Sequence, residues 1–307
     1  MGIKLLNRFL REKCKTGINE ITIASLEGKK IAIDISIYLY KGKENGELFS
    51  NIYFMCSLFR YYNIHPIFVF DGKPPLEKKM ILEKRKDKKR EAANLCKQML
   101  DKLDTIVSIE KKRQYIKKIK ILQKKSTRIK YLDIQTIKEL FDCYGITYII
   151  APGEADVMCA QLVIQNEAYA CLSEDTDLFV YGCPRVLRYF SFIHQTVVLY
   201  DLSTILHNNL HMSLKDFKDI CIASGTDYNT SNHSIYYYYT KFLDFKKSLL
   251  TINFHDWVHH ESLSNINHIK KLFEIPSKHL FLHIQNKKIQ HETLSILLKK
   301  NNFMFID

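Results

Sequence analysis

The chain has 307 residues, and the 46% that are hydrophobic suffice for a buried core, which excludes a disordered tail. Its formal net charge of +13 at pH 7 and its pI of about 9.2 make the surface attractive to a polyanion. No uninterrupted apolar stretch reaches the ~20 residues of a membrane span, and residues 1–10 lack a signal-peptide core. These properties predict a soluble intracellular protein, nuclear or cytoplasmic, with no membrane partner.

The eight cysteines are scattered along the chain and never form a C-x-x-C pair. This spacing favours neither a zinc site nor a disulfide framework. We predict reduced and mostly buried thiols.

The positive charge is concentrated in one segment of the chain. Residues 73–130 contain 21 Lys or Arg and 7 Asp or Glu, an excess of 14, whereas the other 249 residues together carry −1. A localised excess is what contact with a polyanionic backbone requires. A solvated charged hairpin is the usual explanation for a charge run, but it does not explain why the whole excess lies here.

Two short apolar runs near the beginning of the chain predict buried strands. Residues 29–36 (KKIAIDIS) are β-branched and apolar, and Asp34 lies near the end of the run. Residues 65–70 (HPIFVF) repeat this signature and are followed by Asp71. Between the two runs, residues 37–62 carry a helical apolar pattern with many aromatic side chains.

The next part of the chain predicts long polar helices. Pro74 and Pro75 break the chain, because proline can neither continue a strand nor donate a backbone hydrogen bond. Residues 76–103 and 109–125 then favour helices dominated by Lys, Arg, Glu and Leu, without Gly or Pro. Helices this polar do not lie wholly within a core. A third helix is predicted at residues 132–143.

Strand and helix then alternate again. Residues 146–151 (ITYIIA) predict a strand, APGEAD begins a helix, and residues 169–174 predict another strand. VLRYFSF and QTVVLYD predict a hairpin or two edge strands, and a helix follows that continues to Asp227. The alternation predicts an α/β fold with a largely parallel sheet and flanking helices. The rest of the chain favours helix.

Seven acidic residues lie at or near the ends of these predicted elements. They are Asp34, Asp71, Glu154, Asp156, Asp175, Asp177 and Asp227. Ligand sites form at the carboxyl ends of the strands in an open parallel sheet, so we expect the acids to converge at one edge. Converging carboxylates repel one another unless cations neutralise them, and all-oxygen sites suit Mg²⁺ or Mn²⁺. Two such ions about 4 Å apart can activate a water and stabilise the leaving oxygen in phosphodiester hydrolysis.

A single acid after a strand is more often a turn former or a helix cap than a metal ligand. That interpretation is the better one for any of the seven positions taken alone. For the whole set, arranged at successive element ends, we favour a metal site.

Six short motifs occur in order along the chain. They are MGI at the start, IAIDISIYLY around Asp34, VFDGKPP around Asp71, APGEADVMCAQL around Glu154, SEDTDLFVYG around Asp175 and IASGTDY at Asp227. In this order and spacing they resemble the flap endonuclease family of structure-specific 5′ nucleases. The resemblance implies a PIN-like 5′ nuclease fold, with a catalytic domain at residues 1–230, a basic helical arch at residues 76–130 within it, and a helical C-terminal region at residues 231–307.

The family resemblance also implies an activity. It implies a structure-specific endonuclease that hydrolyses phosphodiester bonds in 5′-flap or otherwise branched DNA during replication, repair or recombination, with two Mg²⁺ ions that Mn²⁺ can replace. A 5′ to 3′ exonuclease on DNA or RNA is an alternative, because the related acidic fold supports that chemistry. A catalytically inactive nucleic-acid-binding subunit is a second alternative, although a binder of polyanions has no use for seven converging carboxylates.

The resemblance distributes the acids between two metal sites. It implies a first site made of Asp34, Asp71, Glu154 and Asp156, with Asp156 shared, and a second made of Asp175, Asp177 and Asp227, directly or through water. The family pattern usually has Glu at the position of Asp156. The shorter Asp156 side chain is expected to need a bridging water or a shifted ion.

The basic segment supplies the implied phosphate contacts. Lys78 and Arg85 match two basic residues that reach the scissile phosphate from the base of the arch, and their spacing of seven predicts one helix face, two turns apart. The alternative is that both are ordinary members of the basic segment. Lys117 and Lys118 are expected to attract a single-stranded 5′ flap under or through the arch without reading its sequence.

Two residues nearer the start match further family positions. Tyr40 matches an aromatic residue on which the base next to the cut stacks, and the alternative is that it packs within an aromatic-rich helix. Gly2 matches an amino-terminal glycine whose lack of a side chain permits close approach to the substrate.

The chain departs from the family pattern after Asp227. The family has a helix-two-turn-helix there, with a glycine-rich turn whose backbone amides hold duplex DNA and K⁺, but NTSNHSIYYYYTKF contains no glycine. We expect a degenerate motif without that ion site, in which residues 236–239 either contact DNA or belong to the core. His255 and His259 have the spacing of a zinc helix, but Asp256 replaces the usual Glu, so no zinc site is predicted.

The carboxyl end and the assembly state carry two further expectations. KNNFMFID contains no sliding-clamp-binding motif, so clamp binding is not expected, and we predict a monomer that acts on DNA with a 5′ flap, nick or branch. A degenerate motif followed by a short tail is similar to the flap endonuclease-like proteins of large DNA viruses.

Overall fold

Two compact units make up the chain. The computed structural model describes residues 2–105, 107–248, 254, 256, 266–277 and 287–303. The first unit comprises Met1–Ile35, Phe59–Lys73 and Thr147–Gln285, and the second comprises Ser36–Leu58, Pro74–Ile146 and Asn286–Asp307. Each unit therefore draws on separate stretches of the chain, and the boundary predicted at residue 230 stays a prediction.

The first unit contains a seven-stranded sheet. Its strands are β1 (Ile18–Thr22), β2 (Lys30–Asp34), β3 (His65–Phe70), β4 (Thr147–Ile150), β5 (Ala170–Leu172), β6 (Arg185–Ser191) and β7 (Thr196–Asp201). They are arranged in the order β1-β7-β6-β5-β2-β3-β4. The five strands from β6 to β4 pair in parallel, and β7 and β1 add antiparallel pairs at one edge. The predicted largely parallel sheet and the β6–β7 hairpin are confirmed.

The burial of the strands follows their place in the sheet. β2 and β3 are almost continuously buried, as expected for parallel strands that are covered on both faces. β1 was not predicted, because INEIT has no apolar run and its two Ile are three positions apart, so strict alternation is missing as well. It lies at the edge of the sheet, where its side chains are half-buried or exposed and its hydrogen bonds go to β7.

Helices connect and cover the strands. In chain order they are α1 (Leu6–Lys13), α2 (Ser36–Asn45), α3 (Leu48–Tyr61), α4 (Lys79–Leu103), α5 (Ile109–Ser126), α6 (Tyr131–Tyr144), α7 (Ala155–Ile164), α8 (Asp177–Tyr181), α9 (Leu202–Thr204), α10 (Leu214–Ala223), α11 (Ile235–Lys247), α12 (Ile266–Leu272) and α13 (His291–Lys300). Short 3₁₀ turns lie at Ile23–Leu26 and Leu76–Lys78, and a π-helical stretch at Ile205–Leu210 follows α9.

Two predicted helix boundaries were wrong. The single helix expected at residues 37–62 is two helices, α2 and α3, separated near Gly46, whose φ of 76° is outside the helical region. The helix expected to continue to Asp227 ends at Ala223, because Gly225 turns the chain with a φ of 103°. Asp227 therefore lies in the turn after α10.

Helix α7 packs on the centre of the sheet in the first unit. It contacts β2, β3 and β5, and its side chains are buried around almost its whole circumference. Cys159, Leu162 and Val163 join Ala32 of β2 and Ile67 of β3 in one apolar core. This packing holds the amino end of α7 beside the carboxyl ends of the central strands, where the predicted acids lie.

The second unit contains the two long basic helices. α4 and α5 pack along each other through a thin apolar seam that includes Ala92, Cys96 and Ile119. The Cys96 Sγ lies 4.0 Å from the Ile119 carbonyl oxygen. The predicted pair of long polar helices is confirmed, and most of their Lys and Arg side chains are exposed.

The cysteine prediction is also confirmed. All eight cysteines are free, and seven are buried, with Cys143 half-buried. Burial raises the pKa of the Cys159 thiol to about 11, so this group stays protonated at neutral pH. Within the described part of the chain, no helix combines the length and the apolar character needed to cross a bilayer.

Candidate metal centre

Three carboxylates form a tight group in the first unit. One oxygen each from Asp156, Asp175 and Asp177 lies within 4.8 Å of the other two. Asp156 lies in the first turn of α7, Asp177 begins α8, and both are buried, while Asp175 is half-buried. Carboxylates this close repel one another unless a cation lies among them. Their all-oxygen chemistry fits a hard divalent ion such as Mg²⁺ or Mn²⁺.

Asp34 is connected to this group through Ser173. The Ser173 hydroxyl donates to Asp34 Oδ2 at 3.1 Å, and the Asp175 backbone N–H donates to the Ser173 hydroxyl at 3.1 Å. Asp34 ends β2 and Ser173 follows β5, its parallel neighbour, so the two strand ends lie side by side. Sequence reasoning missed Ser173, because a single hydroxyl residue at a strand end has no pattern that marks it as the partner of Asp34.

Asp71 is held at the amino end of α7. Its Oδ1 accepts a hydrogen bond from the Ala155 backbone N–H at 2.9 Å, which places a carboxylate where the helix dipole favours negative charge. The loop after β3 and the loop before α7 are also hydrogen-bonded to each other, since the Gly72 N–H donates to the Gly153 carbonyl at 2.7 Å. A Cβ at Gly72 would lie 1.9 Å from the Ala151 carbonyl oxygen, so this approach requires glycine.

Glu154 is contacted by the turn that contains Asp227. The Tyr228 hydroxyl donates to Glu154 Oε2 at 3.3 Å. Asp227 and Glu154 are both half-buried. The three-carboxylate group does not include the other four predicted acids, Asp34, Asp71, Glu154 and Asp227. Hydrogen bonds still connect Asp71 to the start of α7 and Asp34 to Ser173, which precedes Asp175. The structure thus groups Asp156 with Asp175 and Asp177.

Tyr181 ends α8 behind these acids. Burial raises the pKa of Tyr181, and the negative charges of Asp156 and Asp177 shift the pKa in the same direction. Its phenol therefore stays neutral across the physiological pH range.

Gly2 approaches the acidic group closely. It adopts a φ of 79°, and a Cβ at this position would lie 2.4 Å from Asp175 Oδ1 and 2.7 Å from Asp177 Oδ1. We expect Gly2→Ala to weaken Mn²⁺ binding, because the methyl group must push the acids or the chain aside. The left-handed backbone adds a strain of about 1–2 kcal/mol.

Gly28→Ala is the matched control for this prediction. Gly28 has a similar φ of 68°, but nothing lies within 4 Å of a Cβ built there. Both variants should lose stability in thermal unfolding, and only Gly2→Ala should lose Mn²⁺ affinity in calorimetry. Equal Mn²⁺ affinity in the two variants would contradict the steric role of Gly2.

The predicted phosphate-contacting residues lie in the second unit. Lys78 ends the 3₁₀ turn one residue before α4 and is only 6% exposed, whereas Arg85 is exposed on α4. The two residues therefore differ in exposure, although the backbone of Lys78 is helical and continues directly into α4. Lys117 and Lys118 are exposed on α5, as expected for long-range attraction of a strand.

Tyr40 lies on α2 and is 36% exposed. The Lys89 ammonium lies 4.1 Å from the centroid of its ring, a cation–π contact between α2 and α4. Tyr40 is therefore partly exposed, and Lys89 lies over one face of its ring.

The tyrosines of α11 pack mainly within the first unit. The Tyr236 hydroxyl donates to Glu12 Oε2 at 2.5 Å, and Phe9 makes edge contacts with Tyr236 and Tyr239. Tyr238 is 3% exposed, while Tyr237 stacks on an exposed histidine. Tyr238 belongs to the core and the other three tyrosines are partly buried against it, so the core interpretation is the better one for all four.

Some predicted features fall on residues that the structure does not describe. His255, His259 and residues 304–307 lie outside the described ranges. The expectations that His255 and His259 form no zinc site, and that the carboxyl end does not bind a sliding clamp, stay as predictions.

Comparison with known proteins identifies the family. The chain matches the XPG N-terminal domain over residues 1–92 and the XPG I-region over residues 145–227, together more than half of its length. It is 32% identical over 246 residues to Flap endonuclease 1 of Meyerozyma guilliermondii, covering 74% of this chain and 63% of that relative. The chain therefore spans less than two thirds of the length of this relative.

Solved structures share the fold. The catalytic core of Rad2 in complex with DNA substrate aligns with a TM-score of 0.70 at 19% identity, covering 98% of this chain and 95% of the other. Flap endonuclease-1 from Methanococcus jannaschii aligns with a TM-score of 0.67 at 23% identity, covering 99% and 94%. The predicted PIN-like architecture is confirmed. The motifs and the domain matches agree, and the chain belongs to the XPG family, whose two domain models together match more than half of its length.

Proposed function

We propose that this protein is a structure-specific, metal-dependent endonuclease that hydrolyses phosphodiester bonds in 5′-flap or otherwise branched DNA. The observation that carries the proposal is the group formed by Asp156, Asp175 and Asp177, whose oxygens lie within 4.8 Å of one another. The relatives named Flap endonuclease 1 and the likeness to a Rad2 core in complex with DNA substrate support it. Replication, repair or recombination in a nuclear or cytoplasmic compartment is the proposed setting.

The proposed cofactor is a pair of Mg²⁺ ions. Asp34, Asp71, Glu154 and Asp156 would hold one ion, and Asp175, Asp177 and Asp227 would hold the other, with Asp156 shared. When bound, such ions activate a water and neutralise charge on the phosphate. Ser173 orients Asp34 through its hydroxyl, and the amino end of α7 orients Asp71, so the protein fixes these carboxylates before substrate arrives.

The basic helices supply the proposed contacts with DNA. Arg85 and Lys78 would neutralise charge on the scissile phosphate, and Lys117 and Lys118 would attract the single-stranded flap electrostatically. Tyr40 would stack on the base next to the cut. A monomer suffices for this scheme, because the chain contains every residue in it.

A panel of labelled substrates tests the proposal. The purified chain is incubated in Mg²⁺ with flap, nick, gap, bubble and single-stranded DNA and with single-stranded RNA of matched sequence. We expect the 5′ flap or another branched DNA to be cleaved most rapidly. Preferential degradation of unbranched single strands would favour the exonuclease, and binding without any cleavage would favour the inactive subunit.

Exchange of the metal ion gives a sharper expectation. Ca²⁺ should support DNA binding but not cleavage, because it accepts oxygen ligands at longer and looser distances than Mg²⁺ and holds the reacting groups less well. The measurement is single-turnover cleavage in Ca²⁺ after chelator treatment that removes trace Mg²⁺, with DNA affinity determined in parallel. Efficient turnover in Ca²⁺ alone would contradict the proposed site.

A further inference from the structure

We infer that Tyr228 is a positioning residue for Glu154 and that a side-chain clasp between Thr226 and Asn229 holds Tyr228 in place. The inference rests on the proposed function, since Glu154 is a proposed metal ligand.

The clasp uses both ends of one amide side chain. Asn229 Oδ1 accepts from the Thr226 backbone N–H at 3.1 Å and from the Thr226 hydroxyl at 2.6 Å. Asn229 Nδ2 donates to the Ile222 carbonyl at 2.8 Å, which attaches the turn to the last turn of α10. A backbone bond from the Thr226 N–H to the Asn229 carbonyl at 3.1 Å closes the same turn. These bonds hold residues 226–229 in one closed turn.

The clasp also fixes the two residues that it encloses. The Tyr228 N–H donates to the Thr226 hydroxyl at 2.9 Å, so the backbone on both sides of Asp227 is restrained. Gly225, with its φ of 103°, begins the turn and sends the chain away from α10. Asp227 and Tyr228 therefore leave the helix in one defined direction.

The Tyr228 side chain is restrained at its ring and at its hydroxyl. The ring makes an edge contact with Phe273, 5.5 Å between centroids, and Phe273 is 1% exposed. The hydroxyl donates to Glu154 Oε2 at 3.3 Å. A donor on one carboxylate oxygen restricts rotation of the group, so Glu154 presents its acceptors in a fixed direction. Outer partners of this kind typically change metal affinity or activity by about 10- to 100-fold when they are lost.

Two substitutions with matched controls test the inference in the full chain. Tyr228→Phe removes the hydroxyl and keeps the ring, and Asn229→Ala opens the clasp. Tyr236→Phe is the control for the first, because it removes another tyrosine-to-glutamate hydrogen bond, at Glu12, outside the acidic group.

Asn209→Ala is the control for the second substitution. Asn209 also uses both ends of its amide, with Oδ1 accepting from the Lys15 N–H at 2.9 Å and Nδ2 donating to the Thr204 carbonyl at 3.1 Å. Mn²⁺ affinity is measured by titration calorimetry, thermal stability by circular dichroism, and cleavage of a 5′ flap over a range of Mg²⁺ concentrations.

We expect Tyr228→Phe to weaken Mn²⁺ binding by about tenfold. The cleavage rate of this variant should recover toward the wild-type value at saturating Mg²⁺, whereas a purely structural defect would not be rescued by metal. Asn229→Ala should show the same metal dependence with an added loss of stability, and both controls should keep wild-type Mn²⁺ affinity.

Unchanged Mn²⁺ affinity in Tyr228→Phe would overturn the inference, even if Asn229→Ala fails to fold. The calorimetric comparison separates this result from failure of the proposed function. Wild-type protein that binds Mn²⁺ yet cleaves no substrate would contradict the nuclease, while the affinity of Tyr228→Phe would still decide the role of Tyr228. Absence of Mn²⁺ binding by the wild type would overturn both.

Discussion

Asp177→Ala is expected to lose nearly all cleavage while it retains DNA binding. The substitution removes a proposed metal ligand from the three-carboxylate group and also lessens repulsion toward phosphate. The loss should exceed about 100-fold, because removal of an outer-shell partner alone costs 10- to 100-fold in metal affinity or activity. The measurements are DNA affinity and the single-turnover rate at saturating enzyme.

An acid outside the group provides the control for this prediction. Asp244 is exposed on α11, so Asp244→Ala changes the net charge by the same amount without touching the acidic group. It should cleave at the wild-type rate. Loss of DNA binding in Asp177→Ala, with cleavage per bound complex intact, would contradict the assignment of Asp177 as a metal ligand.

The second large effect is expected at Arg85. If the guanidinium stabilises charge on the scissile phosphate, Arg85→Ala should lower the single-turnover rate far more than duplex affinity. The loss expected by analogy with a lost oxyanion donor is about 2.7–4 kcal/mol, or about 10²- to 10³-fold in rate. The measurement is single-turnover cleavage of a 5′ flap beside affinity over a series of salt concentrations.

Neutralising Lys117 and Lys118 together provides the contrast for Arg85. Both lysines are exposed on α5. Their neutralisation should therefore weaken DNA binding and flatten the salt dependence of the affinity by up to about two units of slope. Their single-turnover rate at saturating enzyme should change little. If Arg85→Ala shows only this salt-sensitive binding defect, Arg85 does not have the role at the scissile phosphate that the family resemblance implies.

The strand ends of the acidic site could be predicted from the sequence because buried parallel strands have a strong signature. β3 was predicted at its observed bounds, and Asp71 follows it directly. The edge strand β1 has no such run and was missed. The convergence of all seven acids stays a prediction, whereas the observed grouping of Asp156 with Asp175 and Asp177 depends on how α7 packs over the sheet.

The hydrogen-bond partners of the acids were not predictable. Ser173 and Tyr228 each act through one hydroxyl, and a single hydroxyl residue has no periodicity or spacing that distinguishes it. The closed turn after α10 was missed for a related reason. Asn229 closes the turn by contacts with Thr226 and Ile222, and the identity of an Asn in a loop does not reveal its partners.

The basic helices were predicted well in extent and less well in detail. α4 and α5 lie close to the expected ranges because their composition favours helix throughout. A 3₁₀ turn at Leu76–Lys78 precedes α4, which begins at Lys79. The sequence did not reveal that Lys78 is buried while Arg85 is exposed, because burial depends on what packs against each side chain.

Single-turnover incision of a 5′-flap substrate with a chemically blocked 5′ terminus tests the central claim most directly. Three reactions are compared. They are the wild-type protein in Mg²⁺, the wild-type protein after chelation of all divalent ions, and Asp177→Ala in Mg²⁺ at matched DNA occupancy. We predict one dominant product cut near the base of the flap from the wild-type protein in Mg²⁺, and no product in the other two reactions. Cleavage that persists after chelation, or that requires a free 5′ end and releases successive nucleotides, would contradict a metal-dependent structure-specific endonuclease.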